Sequence, residues 1–413
     1  MFKQRTLLPL MGVACLAGLA QAAPLGFLAA LDRAERQSPS LAARSAQIDA
    51  ARFSAVTADA LPDPKLFVGV DNLPVTGPDR GSLSRDFMTM QKIGVVQDVP
   101  NADKRHARAV AAVAETDLAE AERRVERLRV RRATALAWLT RYFLERRLAL
   151  FGELDQENRI LAAAVRAQFS ANRAQPADTV MPKQEAAQLA DRRDELVRDL
   201  AKAKSDLRRF VGADADEPLS GEPPDFSIDP DHLRQHVHHH PELVVFEPMA
   251  RKAQAQVQEA EAMKKSDWSV QAGYQRRGPQ YSDMASIQVT FDLPFFTKTR
   301  QDPQIAARRE ELVRIDAERE AMLRDHTAEL ESELANYTLL SRQLDRVSQT
   351  WLPLAQEKVE LQLAGYRVGK SDIAAVLAAR RELIDLRLKR IEIEGQRAAV
   401  AATVYFAYGE GQQ

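Results

Sequence analysis

Gln97-Asp98-Val99-Pro100 stands just before Lys104-Arg105 and a long charged stretch, and an offset of 194 residues brings the same arrangement back. The second copy reads Phe291-Asp292-Leu293-Pro294, followed by Lys298, Arg300 and another long charged stretch. Further along, Phe169-x-x-Asn172 aligns with Tyr366-x-x-Gly369 at an offset of 197. That register continues through Leu189/Leu386 and Leu196/Ile393 to Gly212/Gly409. Upstream, Ser38-Pro39-Ser40-Leu41 aligns with His240-Pro241-Glu242-Leu243. A period near 200 residues is too long for a solenoid unit, so it describes a duplicated structural half.

Each half reads as a pair of strands feeding a long helical hairpin. In the first, Leu25 to about Ala60 is helical with a break at Ser38-Pro39, stopped by Pro62 and Pro64. Strands are expected at 65–72 and 87–99, with a turn-rich stretch from Leu73 to Arg85 between them. In the second, strands are expected at 267–276 and 284–293. There Trp268, Val270, Ala272 and Tyr274 alternate with Ser269, Gln271, Gly273 and Gln275. Ala285, Ile287, Val289, Phe291 and Leu293 alternate in the same way with Ser286, Gln288, Thr290 and Asp292. Such alternation suits a membrane strand with one face to lipid and one to water. It equally suits a half-buried soluble hairpin.

From Ala102 to Gln168 there is no proline and only one glycine, Gly152. As a helix this stretch would be about 100 Å long. Its apolar residues form a narrow stripe in a field of Arg and Glu, too thin for a globular core. The counterpart runs from Gln304 to Ala364, with a kink expected at Pro353. Shorter helices return over Asp178–Phe210 and Ser371–Tyr408, and Asn172 and Gly369 at the breaks tolerate left-handed backbone. The predicted organisation is a signal peptide over 1–22, a first repeat over 23–212 with its hairpin at 102–210, a linker over 213–240, and a second repeat over 241–409 with its hairpin at 304–408.

Composition bounds the function. The 58 basic residues are interspersed with 59 acidic ones for a net charge of −1, which gives no basis for nucleic-acid binding. Lys3 and Arg5, the apolar run Leu7–Ala20 and the small residues around Ala22 have the layout of an export signal. Cys15, the only cysteine, lies within that run, where lipidation is the alternative to ordinary cleavage. No other stretch approaches the apolar length of a membrane-spanning helix. Two strand pairs give four strands, too few to close a membrane barrel. If they span a membrane, chains must pool them; three chains would supply twelve.

At this point the sequence resembles the TolC-like outer-membrane efflux factor family over essentially the whole mature chain, with its heavy-metal (CzcC/CusC-like) branch as one option. The resemblance rests on the duplicated Asp-(Val/Leu)-Pro approach to both long helices, on His240-Pro241-Glu242-Leu243, and on the tip turn Tyr366-Arg367-Val368-Gly369. The first-half tip is Phe169-Ser170-Ala171-Asn172, with Asn in place of Gly. The resemblance implies a mainly α chain with a small β part: a duplicated helical-hairpin α-barrel plus four membrane strands, closing as a homotrimer with a twelve-stranded β-barrel in outer-membrane lipid. It further implies a periplasmic adaptor docking on the tips and an inner-membrane RND-type pump. Phe169, Asn172, Arg173, Tyr366, Arg367, Val368, Gly369 and Lys370 would face the adaptor. The acidic residues that ring the pore in well-known members fall on Ala375 and Ala378 in the second half, leaving Asp178 and Asp372 as candidate constriction residues.

Of the remaining features, His236, His238, His239 and His240 crowd the start of the second half, with His232 just upstream. Imidazoles at helical spacing can hold a transition metal, or can simply be an exposed polar helix start. Trp138, Tyr142 and Phe143 read as seam packing. No phosphate-cradling loop or nucleophile–base pattern is present, so neither an enzyme nor a cofactor is expected. The competing reading is a periplasmic coiled-coil adaptor or scaffold without a pore.

Overall fold

Pro100 and Pro294 mark the places where the chain leaves a sheet and turns into long helices. In the computed structural model, which describes residues 24–172 and 175–409, this happens once in each half. The chain opens with a two-residue strand β1 (Leu25–Gly26), then α1 (Phe27–Gln37) and α2 (Pro39–Val56). Ser38 separates these helices: its hydroxyl accepts the Leu41 N–H at 3.3 Å, and Pro39 takes the first helical position. Strands β2 (Lys65–Asp71) and β3 (Met90–Val99) follow, and then α3 (Ala102–Ser170), 69 residues long. Asn101 caps α3 by accepting the Lys104 N–H at 2.9 Å. After one tight turn at Pro176–Thr179, α4 (Met181–Val211) runs back.

The connecting segment holds β4 (Leu219–Ser220), which pairs in parallel with β1, and the short helices α5 (Pro230–His236) and α6 (Pro241–Val244). The second half repeats the plan with α7 (Phe246–Ala262), strands β5 (Trp268–Arg276) and β6 (Met284–Phe291), α8 (Gln301–Arg346), α9 (Leu352–Arg367) and α10 (Ile373–Val404). The four long strands form one antiparallel sheet in the order β2-β3-β5-β6, so the two hairpins meet along β3 and β5. Helix α3 packs against α2, α7, α4 and α10, and this joins the two halves side by side.

Buried apolar residues form a string of small clusters rather than one thick core. The largest gathers Phe27, Leu31, Trp138, Leu139, Phe143, Leu207, Phe226 and Phe406. Trp138 is fully buried; its ring meets Phe27 edge-on at 5.4 Å and its Nε1–H donates to the Leu25 carbonyl at 3.1 Å. A second cluster, with Phe151, Leu154, Leu196 and Ile384, continues the seam between the hairpins. Ion pairs flank it, among them Arg146–Glu394 at 2.8 Å and Arg381–Glu185 at 2.6 Å. Partly exposed pairs of this kind contribute at most about 1 kcal/mol each, so they set register more than they supply stability.

Several boundaries differ from the expected ones for local reasons. The second strand was expected from Phe87 but starts at Met90, because Asp86 accepts the Met88 N–H and Thr89 donates to the Asn72 carbonyl, making a turn. Strand β6 stops at Phe291 rather than Leu293. Helix α4 begins at Met181 rather than Asp178, since Asp178 is spent as a cap. Helix α8 starts at Gln301, not Gln304, and α9 runs past Ala364 to Arg367. At Pro353 the structure has a wide π-turn just upstream, over Val347–Trp351. Proline lacks the N–H that would continue the helix and its ring crowds the carbonyl four residues back, and the wider turn absorbs both. A second π-turn, Tyr405–Gly409, ends the last helix. The expected signal peptide with Cys15, and Arg173 at the first tip, lie outside the described residues.

Candidate functional site: a two-faced sheet, paired tips and a histidine cluster

Strand register sorts the sheet into two unlike faces. On one face Leu66, Val68 and Val70 of β2 line up with Val95 and Ile93 of β3, with Ala272 and Tyr274 of β5, and with Ile287 and Ala285 of β6. Trp268, Val270, Val289 and Phe291 extend the same face. No other part of the described chain covers it: Ile287 is 81% exposed, Val68 73% and Leu66 68%. An uncovered β-branched and aromatic surface of this extent is unstable against water and fits an apolar surround.

The opposite face carries Lys65, Asp71, Lys92, Asp98, Ser269, Gln271, Gln275, Ser286, Gln288 and Thr290. Lys92 pairs with Asp71 and Lys65 with Asp98, both at 2.6 Å. Met90, Val96 and Met284 are apolar exceptions on this face, as is Phe67, whose ring reaches over the paired glycines Gly94 and Gly273. A Cβ at Gly94 would sit 2.3 Å from the Ala272 carbonyl oxygen and 2.4 Å from the Phe67 ring, so only glycine fits.

At the far end of the helices the two tips are built alike. Gly369 has φ 72°, its N–H donates to the Tyr366 carbonyl at 3.1 Å, and the Lys370 N–H reaches back to Gly365 at 2.8 Å. This is a Schellman helix ending, which needs a left-handed residue at that point. Asn172 does the same at the first tip, with φ 55° and its N–H on the Phe169 carbonyl at 3.0 Å. The second-half pattern therefore survives with Asn because Asn tolerates this conformation.

Both candidate constriction carboxylates serve as helix caps. Asp372 accepts the Ala375 N–H at 2.7 Å and Asp178 accepts the Gln175 N–H at 2.8 Å. The tips converge on a recess lined by Asn172, Asp178, Met181, Tyr366, Gly369 and Asp372. Tyr366 is buried there against Leu161, Val165 and Ile373. Burial, and then the nearby Asp178 carboxylate, push its phenol above the ordinary value. Phe169 and Val368 stay exposed at the outside of this end.

The histidines divide into two groups. His232, His236, His238 and His239 stack on one another at the surface, with ring centroids 4.1–5.7 Å apart. His240 instead turns inward: it caps α6 by accepting the Glu242 N–H at Nδ1, 3.2 Å away, and its ring lies 3.8 Å from that of His326 on α8. His326 contacts the Glu242 carboxylate through Nε2 at 3.1 Å. Burial, followed by repulsion from His326, pushes His240 down to about 4, so its imidazole is neutral near pH 7. Sequence reasoning did not connect His326 to this cluster, because 86 residues separate it from His240 and no spacing rule joins α6 to α8.

No helix among the described residues is long and apolar enough to cross a membrane. Residues 233–410 match the family described as outer membrane efflux protein. No curated protein matches the chain. Among solved structures it is similar to a membrane protein from Pseudomonas aeruginosa, with 18% identity, TM-score 0.78, and 93% of this chain and 90% of that one covered. CusC, in a study of folding and transmembrane channel formation, matches with 15% identity and TM-score 0.75 over 93% and 92% of the two chains. The outer membrane protein VceC from Vibrio cholerae matches with 19% identity and TM-score 0.75 over 93% and 96%. Residues 233–410 therefore carry an outer membrane efflux protein domain, and the chain as a whole shares the fold of these solved membrane proteins.

Proposed function

We propose that three copies of this chain assemble into the outer-membrane duct of a tripartite efflux system, through which solutes delivered by an inner-membrane pump leave the cell passively. The observation that carries this reading is the sheet, with an uncovered apolar face, a polar face and only four strands. Three such sheets joined edge to edge give twelve strands, apolar outward and polar inward, while one alone cannot close. The helices pool in the same way into a tube that crosses the periplasm. Two complete hairpins and two strand pairs in one chain weigh against the scaffold reading.

At the periplasmic end, Phe169, Asn172 and the 366–370 turn form the surface on which a periplasmic adaptor docks. Exposed Phe169 and Val368 supply apolar contact, and the Schellman turn fixes the backbone beside them. Asp178 and Asp372 stand next to the recess between the tips, and as caps they hold its walls as well as supplying charge. The cargo is a small solute or a metal ion, and the pump partner chooses between them.

The test is fractionation of cells expressing the full chain, followed by unboiled gel electrophoresis of detergent extracts. The reading requires outer-membrane recovery and a band at three chain masses that collapses on boiling. A monomer in the soluble periplasmic fraction would overturn it. Placing proline at Ala272, in the middle of β5, should abolish the trimer by removing ladder hydrogen bonds.

A further inference from the structure

The inward-facing histidine pair belongs neither to the sheet nor to the tips. His240 and His326 are 9% and 7% exposed, and Glu242 closes the third side of the group. One donor atom from each of the three residues lies within 4.8 Å of the others. His326 Nδ1 is buried without a hydrogen-bond partner, with the Glu329 carboxylate 3.7 Å away. A buried ring nitrogen without a partner is costly unless something binds there, and with Nε2 on Glu242 and Nδ1 towards Glu329 each nitrogen of His326 faces a carboxylate. The group opens onto a cavity of about 230 Å³ that is also lined by Arg129, Arg132, Phe406 and Tyr408.

We propose that His240, Glu242 and His326 form a binding site for a divalent transition-metal ion of the zinc, nickel or copper type. Two imidazole nitrogens and one carboxylate oxygen are a borderline donor set, which suits these ions and disfavours calcium or magnesium. Metal–ligand bonds of roughly 2.1 Å put neighbouring donors about 3–4 Å apart, so small side-chain rotations close the present group. Glu329 is placed to hold or complete the site from α8. Arg132 opposes a cation there, and the two carboxylates offset it.

The site spans three parts of the chain. His240 and Glu242 begin the second half, His326 sits within α8, and the His326 carbonyl accepts the Tyr408 hydroxyl at 3.1 Å from the π-turn Tyr405–Gly409. A bound ion would therefore fasten the start of the second half to its long helix, to which Tyr408 is already hydrogen-bonded. This inference does not depend on the channel reading.

The experiment uses the full detergent-solubilised chain, stripped with chelator and free of any histidine tag, titrated with Zn²⁺ by calorimetry and with Co²⁺ by absorbance. One tight equivalent per chain is expected, with visible bands of nitrogen and oxygen ligation. His326→Ala and Glu242→Gln should each weaken it by at least tenfold, the lower end of what losing even an outer-sphere partner costs. A variant with His236→Gln, His238→Gln and His239→Gln should bind as the parent does. Absence of stoichiometric binding by the parent overturns the proposal. So does binding that survives both Glu242→Gln and His326→Ala, or that disappears with the surface variant. Circular dichroism of each variant separates loss of the site from loss of fold, and Glu242→Gln, which keeps the side-chain shape, serves if His326→Ala does not fold.

Discussion

The Asp267 carboxylate accepts the backbone N–H of Asn101 at 2.8 Å, across 166 residues of sequence. It also accepts from the Asn101 side chain at 2.9 Å and from Lys104 at 2.8 Å. Asn101 is the cap of α3 and Asp267 precedes β5, so this contact ties the first half's strand-to-helix junction to the base of the second half's sheet.

Asp267→Ala should thus loosen the joint between sheet and helices. Burial alone would raise its carboxyl; the hydrogen bonds from Lys104 and Asn101 outweigh that and hold it below its ordinary value. Stabilisation from a depressed carboxyl is present above its unfolded value, near pH 4, and disappears as the pH falls through the folded one. The variant should lose about 1–3 kcal/mol at pH 7, as hydrogen bonds to a charge contribute. The gap from the parent should narrow below pH 4. Thermal unfolding followed by tryptophan fluorescence at both pH values checks this.

Gly94→Ala should block assembly of the sheet, because the new Cβ meets the fixed Ala272 carbonyl as well as Phe67. Gly273→Ala should be milder: its Cβ would meet the Phe67 ring at 3.2 Å and no backbone atom closer than 3.6 Å. Adding Phe67→Ala should therefore rescue Gly273→Ala and leave Gly94→Ala defective. The yield of heat-dissociable trimer on unboiled gels distinguishes the two.

At the tips, Gly369→Ala forces an alanine into left-handed backbone and should cost roughly 1 kcal/mol locally. Asn172→Gly should be neutral or slightly stabilising, since it brings the first tip to the second tip's chemistry. Asp372→Ala removes the α10 cap for a cost of about 1 kcal/mol. Limited proteolysis should show faster cleavage at the affected tip in Gly369→Ala and Asp372→Ala, and no faster cleavage in Asn172→Gly.

Trp138→Phe removes the indole N–H that serves the Leu25 carbonyl and leaves a void in the largest cluster. The lost indole hydrogen bond and the lost ring volume together should cost about 2–4 kcal/mol. Chemical denaturation should register this as a lower midpoint.

The duplicated Asp-(Val/Leu)-Pro motif and the period-two runs at Trp268 and Ala285 made the strand pairs legible, because both are local signals. The tip turns were legible for the same reason, as left-handed positions favour Gly and Asn. Contacts between segments distant in sequence were not. Nothing around Asp267 signals that it reaches Asn101, and His326 sits alone among charged residues of α8. Phe67 reads as one more strand residue until register sets it over two glycines. Asp178 and Asp372 read as free carboxylates, whereas their spacing to Gln175 and Ala375 makes them caps. Pro353 announced a disturbance, but its form as a π-turn depends on packing along the helix.

The sheet has two outer strands, β2 and β6, whatever number of copies is present. Adding a second or third copy in a row still leaves one unsatisfied β2 and one unsatisfied β6 at the ends. Only ring closure removes both at once. A partial assembly therefore keeps nearly the full liability of a lone chain, with exposed backbone donors beside an exposed apolar face. The last joint is the one that makes the earlier joints safe, which favours closure in step with arrival in lipid over gradual accumulation of dimers.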